Sequence, residues 1–331
     1  MILVSGATGF LGSYVVCELL LQNKKVRALK RASSTLTEFE FICTVNHISE
    51  LQLQNLTWFT ADILEIADLE IAFQEVDEVI HCAGMVSFVP KDMEEMVRIN
   101  VEGTANMVNT ALHQKVHKFG YISSIAAIGR GNNENLIDEN TKWETSANNT
   151  NYAETKFAAE MEVWRGIQEG LNAVIVNPGI IIGACDFTRG TGKMFEIGKK
   201  GLSFYTPGIN GFVDVRDVTK CLLQLLERNI FNERFILVSE NYAFKRFYDE
   251  VADDLHKTKP KYNTPFWLAK LGYQFLALKS FFTGRKPLLT KETTFAAYRK
   301  FYYNNAKIKK ALDFEFIQVK ETIGWTCEWY R

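Results

Sequence analysis

The chain opens on a short apolar run, Ile2-Leu3-Val4, and turns at once through Gly6-Ala7-Thr8-Gly9-Phe10-Leu11-Gly12. Consecutive aliphatic residues suit a strand covered on both faces, as in a parallel sheet. Gly6 permits the tight exit from that strand, Gly9 lets a bound group approach the backbone, and Gly12 lets the next helix lie close. That helix is expected from Phe10 to Gln22, with Leu11, Val15, Val16, Leu19 and Leu20 forming its apolar stripe. Its first-turn amides and dipole would face an anion at Thr8, Gly9, Phe10 and Leu11. The spacing is Gly-x-x-Gly-x-x-Gly rather than the commoner Gly-x-Gly-x-x-Gly. Strand before and helix after point to a dinucleotide-binding turn.

A second signal lies at Tyr152-Ala153-Glu154-Thr155-Lys156. Residues four apart share one side of a helix. A phenol titrates near ~10, too high for proton exchange at neutral pH. An ammonium beside it, together with the positive charge of an oxidised nicotinamide on a bound dinucleotide, favours the phenolate, so the expectation is a Tyr152 whose pKa both lower. Between the two signals, Val76–Gly84 reads as a fourth strand with its turn, and Lys118–Ser124 as a fifth. Strand ends of open parallel sheets point into the ligand crevice, which puts Ser123 and Ser124 there.

The glycine turn, the Tyr-x-x-x-Lys pair and a length of 331 residues resemble the extended branch of the short-chain dehydrogenase/reductase superfamily, over nearly the whole chain. The resemblance implies an α/β fold: a Rossmann-type doubly wound parallel sheet with a smaller C-terminal substrate-binding lobe. The dinucleotide-binding part would span 1–182, with a segment returning at about 212–240, and the lobe mainly 183–331. It implies that Ser124 orients a substrate oxygen, that Ser123 bonds structurally, and that Tyr152 exchanges a proton with that oxygen. Lys156 would also bond the cofactor ribose. Asn100, at the head of a helix to Leu112, would bind a carbonyl and a water beside the lysine, or simply cap that helix. Asp62 and Ile63 would meet the adenine, although Asp62 equally suits a cap for a helix starting near Leu64. Cys82, Ala83 and Gly84 would lie under the nicotinamide-side ribose, and Pro178, Gly179 and Ile180 beside the carboxamide. Asn177 stands where the family usually has arginine.

The end of the second strand, Lys25–Lys30, bears on cofactor choice. An acid about 20 residues past the glycine turn holds the ribose 2′-hydroxyl of NAD. Here Lys30, Arg31, Ser33 and Ser34 occupy the region, and the first acid is Glu38. A guanidinium can clamp a 2′-phosphate, so NADP is expected over NAD.

Formal net charge is −1, with both signs interspersed and no basic stripe for nucleic acid. The six cysteines are scattered, and His113 and His117 have no third ligand nearby, so neither a disulfide framework nor a metal is expected. The chain enters its first strand without a signal-like stretch, which gives a cytoplasmic expectation. A homodimer through the Asn100 and Tyr152 helices is implied by the resemblance.

Past Gly183 the rhythm loosens. A helix is expected over Lys193–Lys199 and turns over Thr206–Gly211, while Phe212–Val218 resembles a signature of the same family, which implies a short strand and then Asp217 capping a helix to Glu227. Phe235–Val238 would rejoin the main sheet. Pro265–Phe282 is the most apolar stretch, with Trp267, Leu271, Phe275, Leu278, Phe281 and Phe282; interrupted by Lys270 and Lys279, it is too short for a comfortable membrane span. It reads as a helix over the substrate cleft or as a surface touching membrane or a lipid-like substrate. A further helix is expected over Thr290–Asn305. Met85, Val86, Ser87, Phe88, Phe187 and Phe212 are the substrate-facing candidates, all small or apolar. Arg189, Lys193 and Arg216 are the cations available to a diphosphate. These residues favour an oxidoreductase acting on an apolar ketone, aldehyde or secondary alcohol. The alternatives are a nucleotide-sugar epimerase with bound NAD and a cofactor-sensing protein without turnover. A dehydratase is disfavoured by Ile125 and Ala126, where that group carries Asp-Glu.

Overall fold

A computed structural model describes residues 1–129, 136–146, 149–283 and 290–330. Side chains of 277–283, including Leu278, Lys279, Phe281 and Phe282, lie outside the described set. The first half alternates strand and helix: β1 (Ile2–Ser5), α1 (Phe10–Leu21), β2 (Val26–Lys30), α2 (Thr37–Val45), α3 (Glu50–Leu53), β3 (Leu56–Thr60), α4 (Ile66–Ala72), β4 (Glu78–His81), α5 (Met93–Met96), α6 (Gly103–His113), β5 (Lys118–Ile122), α7 (Asn151–Gln168) and β6 (Ala173–Pro178). The second half is more broken: β7 (Ile180–Ile182), α8 (Gly192–Lys200), β8 (Phe204–Tyr205), β9 (Ile209–Asp214), α9 (Val215–Glu227), β10 (Glu233–Leu237), β11 (Glu240–Ala243), α10 (Phe244–Asp254), β12 (Tyr262–Asn263), α11 (Phe266–Thr283), α12 (Lys291–Ala296), α13 (Ala306–Leu312) and α14 (Val319–Tyr330).

Among the described residues, seven strands form one parallel sheet in the order β3-β2-β1-β4-β5-β6-β10. The order reverses at β1, whose Val4 faces Ala28 on one side and Ile80 on the other. That reversal opens the crevice at the carboxyl ends where ligands bind in this architecture. Helices cover both faces. One core layer joins α1, α2 and α9 through Val15, Ile42 and Leu222; the other joins α6 and α7 through Met107 and Val163. The fold is the expected Rossmann-type sheet. Helix α1 is buried over most of its circumference rather than along one stripe, because α2 and α9 both pack on it.

The returning segment divides. Strand β10 joins the main sheet beside β6, whereas β9 pairs with β7 and β11 in a separate small sheet. Strand β9 therefore starts at Ile209, where turns were expected. Asp214, not Asp217, caps α9 by accepting the Arg216 amide at 2.7 Å. Asp217 instead accepts the Ile317 amide at 2.7 Å and anchors the C-terminal segment. Only Lys291–Ala296 of the expected Thr290–Asn305 helix is α-helical. Beyond it, Lys300 bridges Ile209 and Tyr303 bridges Ile137, so long-range pairing overrides the local helical pattern. Asn100 does not open a helix. The helix starts at Met93 and passes through a π-helical segment, Val97–Glu102, with Asn100 inside it.

Candidate active site

The glycine turn divides its labour. Gly6 has φ +67°, and a Cβ there would lie 2.6 Å from the Ala83 amide nitrogen; one on Gly12 would lie 2.2 Å from the Gly6 carbonyl oxygen. Packing demands both residues. A Cβ on Gly9 would meet only the Gly6 oxygen, at 3.4 Å, so the protein itself leaves that space open. Gly9 is the N-cap of α1, and no side chain caps the helix. Its first-turn amides lack intrahelical partners and offer an anion cradle, which fits a pyrophosphate.

The catalytic candidates converge at the carboxyl end of β5. Thr150 accepts the Ala153 amide at 3.1 Å and fixes the first turn of α7. The Ser124 hydroxyl lies near enough to the Tyr152 phenol to draw its pKa down. The Tyr152 ring lies edge-on to Phe88, with centroids 5.9 Å apart. Ser124 is held from both sides: its Oγ accepts the Ala126 amide at 3.1 Å, and its carbonyl accepts Asn177 Nδ2 at 3.0 Å. Lys156 is buried, its Nζ donating to the Tyr121 hydroxyl and the Ile122 carbonyl, each at 2.9 Å.

This geometry corrects the expected tuning. Lys156 and Tyr152 share a side of α7, but the lysine stem runs toward β5 and spends its ammonium on Tyr121 and Ile122. Burial pushes the Tyr152 phenol up from its ordinary value, and the nearby Ser124 hydroxyl pulls the other way. Burial also brings the Lys156 ammonium down to about 8, opposed by Glu160 and Cys82.

A glycine cradle for a dinucleotide thus stands beside a hydroxyl pair and a buried lysine. The family model for the NAD dependent epimerase/dehydratase family matches residues 2–235. The chain belongs to that family. It is an NAD(P)-dependent oxidoreductase of the extended short-chain dehydrogenase/reductase type. Among its relatives, a putative dihydroflavonol 4-reductase from Synechocystis is 28% identical, covering 99% of this chain and 94% of the relative. Cinnamoyl-CoA reductase 1 from Petunia hybrida is 29% identical, covering 80% of this chain and 79% of the relative. The crystal structure of gox2253 superposes with a TM-score of 0.82 at 28% identity, covering 100% of this chain and 97% of the other.

Two buried networks support the site of this oxidoreductase, and sequence reasoning assigned neither. The first runs from Lys156 to Tyr121, beside whose phenol Thr104 lies. Thr104 donates to the Asn100 carbonyl at 2.5 Å, which leaves its oxygen to accept from His81 Nε2 at 3.0 Å. His81 Nδ1 then accepts from Ser5 Oγ at 2.6 Å, and Ser5 Oγ accepts the Ala83 amide at 3.3 Å. Burial, then the Lys156 charge, drives the His81 pKa down to about 3, so the imidazole is neutral. This chain ties the lysine to the glycine turn. The second network centres on Glu160, fully buried. It accepts Ser123 Oγ at 2.5 Å, Asn177 Nδ2 at 2.7 Å and Trp164 Nε1 at 3.2 Å, and pairs with Arg234 at 3.1 Å. Ser123 thus turns away from the crevice, and Asn177 links Glu160 to Ser124. The sequence signal was a lone acid four residues past Lys156, without its distant arginine.

Asn100 clamps Met85, accepting its amide at 2.7 Å and donating to its carbonyl at 2.9 Å, and also donates to Thr155 Oγ1 at 3.1 Å. The family member's 84–88 loop is thereby tied to α7, which brings Phe88 to Tyr152. The remaining substrate candidates have these surroundings. Ser87 is buried and donates to Asp92 at 2.6 Å. Phe187 packs on Phe195 and Tyr330, and Phe212 is fully buried against Tyr242, Phe244 and Phe247. Phe212 lies in the core of the lobe, whereas Phe187 packs half-buried at its edge.

Among the cofactor candidates, Cys82, Ala83 and Gly84 follow β4 directly, and burial pushes the Cys82 thiol up to about 12. Asp62 accepts the Leu64 amide at 3.0 Å, but helix α4 begins at Ile66 with Glu65 as its N-cap. Ile63 packs against Gly103. Gly179 follows Pro178 and precedes Ile180; a Cβ there would lie 2.4 Å from the Gly211 carbonyl, so β9 requires that glycine. Lys30 and Arg31 stand at the end of β2, with the Arg31 amide donating to Ser34 Oγ at 3.2 Å. Glu38 is buried, accepting the Asp186 amide at 3.2 Å and pairing with Arg189. Arg216 pairs with Asp214 at 2.6 Å and lies 3.7 Å over the Trp325 ring.

Proposed function

We propose that this enzyme uses NADP to interconvert a ketone or aldehyde and the corresponding alcohol, on a substrate of mainly apolar character. The observation carrying this reading is the Ser124–Tyr152 hydroxyl pair beside the Phe88 ring, with Lys156 buried behind it. The bound dinucleotide supplies the hydride acceptor or donor.

In reduction, Ser124 holds the carbonyl oxygen and Tyr152 gives it a proton as the carbon gains hydride, which leaves a phenolate. Oxidation reverses both transfers. Lys156, cationic below about 8, keeps one N–H beyond those given to Tyr121 and Ile122 as a donor for the ribose. Asn100 holds the loop bearing Phe88, and Asn177 holds Ser124 by its carbonyl.

The preference for NADP follows from what surrounds the end of β2. Lys30 and Arg31 are there, and Glu38, the first acid after the strand, is engaged with Asp186 and Arg189. An apolar substrate is favoured over a nucleotide sugar because Arg189 and Arg216, two of the three cations available to a diphosphate, are already paired with carboxylates.

Separate titrations with NADPH and NADH test the cofactor reading. At least tenfold tighter NADPH binding is expected, lost in Arg31→Ala; equal or tighter NADH binding overturns it. A turnover screen over apolar aldehydes, ketones and nucleotide sugars tests the substrate reading. Turnover confined to nucleotide sugars rejects it.

A further inference from the structure

Helix α11 carries apolar side chains on several sides, and among its described side chains those facing α12 are the ones with aromatic partners. Phe266 stacks edge-on against Phe295 and Tyr298 beside α12, each at 5.1 Å. Trp267, Leu271 and Phe275, spaced by four, share another side and are 63%, 55% and 67% exposed. Next to the start of the helix, the β8–β12 pair presents Phe204 and Tyr262, in mutual ring contact and also exposed.

The segment that carries this surface is one-sided in charge along the sequence. Between Leu255 and Lys291 the sequence carries eight Lys or Arg and no Asp or Glu. Lys257, Lys261 and Lys270 are exposed; Lys259, also exposed, pairs with Asp253. Such charge selects the occupant. A second copy docked by the same face would set like charges against each other. A bilayer with anionic headgroups would attract the cations while taking the Trp, Tyr and Phe side chains into its interface. No helix among the described residues is long and apolar enough to cross a membrane, so contact would be from one side.

We propose that the α11 face with the β8–β12 pair docks this enzyme on anionic membrane surfaces. The surface lies close to the chemistry in the chain: α11 packs on α12, and Glu292 of α12 accepts the Asn151 amide at the head of α7, at 3.2 Å. Docking does not rest on the proposed substrate or cofactor.

The test is co-sedimentation of the full chain with phosphatidylcholine vesicles, with and without about one third phosphatidylserine. Binding to the anionic vesicles is expected to be at least tenfold tighter and to weaken with salt. Trp267→Ser with Phe275→Ser should reduce binding at least tenfold while leaving the thermal midpoint and NADPH affinity unchanged. If that variant does not fold, Lys257→Glu, Lys261→Glu and Lys270→Glu together should abolish the preference for anionic vesicles. Equal binding to both vesicle types, or unaltered binding by the folded variant, overturns the proposal. So does a dimer in solution that the Trp267/Phe275 variant converts to monomer.

Discussion

The carboxyl end of β5 and the outer face of α11 break the ordinary rule of burial in opposite ways. Around β5, polar and charged groups are buried: Glu160, Lys156, His81, Thr104 and Ser123. On α11, large apolar groups stand in water. The buried polar set is tolerable because each member has named partners; an unpartnered buried charge would cost several kcal/mol. The exposed apolar set has no such internal compensation and contributes little to folding. One region is fixed by the protein itself, and the other is available to something outside it.

The largest effect expected is on chemistry. Tyr152→Phe should lower kcat by about 10²–10⁴-fold on a carbonyl substrate with dinucleotide affinity nearly unchanged; wild-type turnover would remove Tyr152 from its role. Glu160→Ala comes next, with a cost of about 3–5 kcal/mol in denaturant unfolding, because Arg234, Asn177 and Ser123 lose a shared buried partner. A loss under about 1 kcal/mol would mean the network relaxes freely. Gly12→Ala should destabilise by about 1–3 kcal/mol. Gly9→Ala should cost about 1 kcal/mol or less, yet weaken dinucleotide binding at least tenfold. Matching effects of the two alanines on stability would contradict the division of labour in the turn.

His81 sharpens the contrast through pH. Its folded pKa of about 3 lies below the ordinary 6.5, so the unfolded chain takes up the proton first as pH falls. The stability it supports is full above about 6.5 and declines toward 3. In melting curves across that range, His81→Gln should have the shallower acid slope. Asp217, raised by burial to about 7, acts in the opposite sense but is present in both proteins and cancels in the difference. Identical slopes would mean His81 is protonated in the fold. The smallest effect belongs to the outer face: Trp267→Ser should change stability by no more than about 0.5 kcal/mol, and a larger loss would show that this side chain is packed.

What could be read from the chain in advance was local. The Ile2–Gly12 strand and turn, the Tyr152–Lys156 spacing and the strand ending at Ser124 each depend on residues near one another in sequence. The misreadings concern distant partners. Asp217 resembles a helix cap until Ile317 reaches it, and the region after Ala296 has a helical rhythm until β9 captures it. Glu160 carries no sign that Arg234 completes it. Asn100 was singled out, but a π-helical segment shifts register without any compositional mark, so its grip on Met85 was invisible.

The pairing of Glu38 with Arg189 has a consequence for redesign. The carboxylate sits seven residues past Arg31, yet it serves as a tie between α2 and the start of the C-terminal lobe. Freeing this acid, as a redesign toward NAD would if the proposed NADP preference holds, would unfasten residues 186–189 at the same time. A new carboxylate introduced between Lys30 and Ser34 would leave that fastening whole.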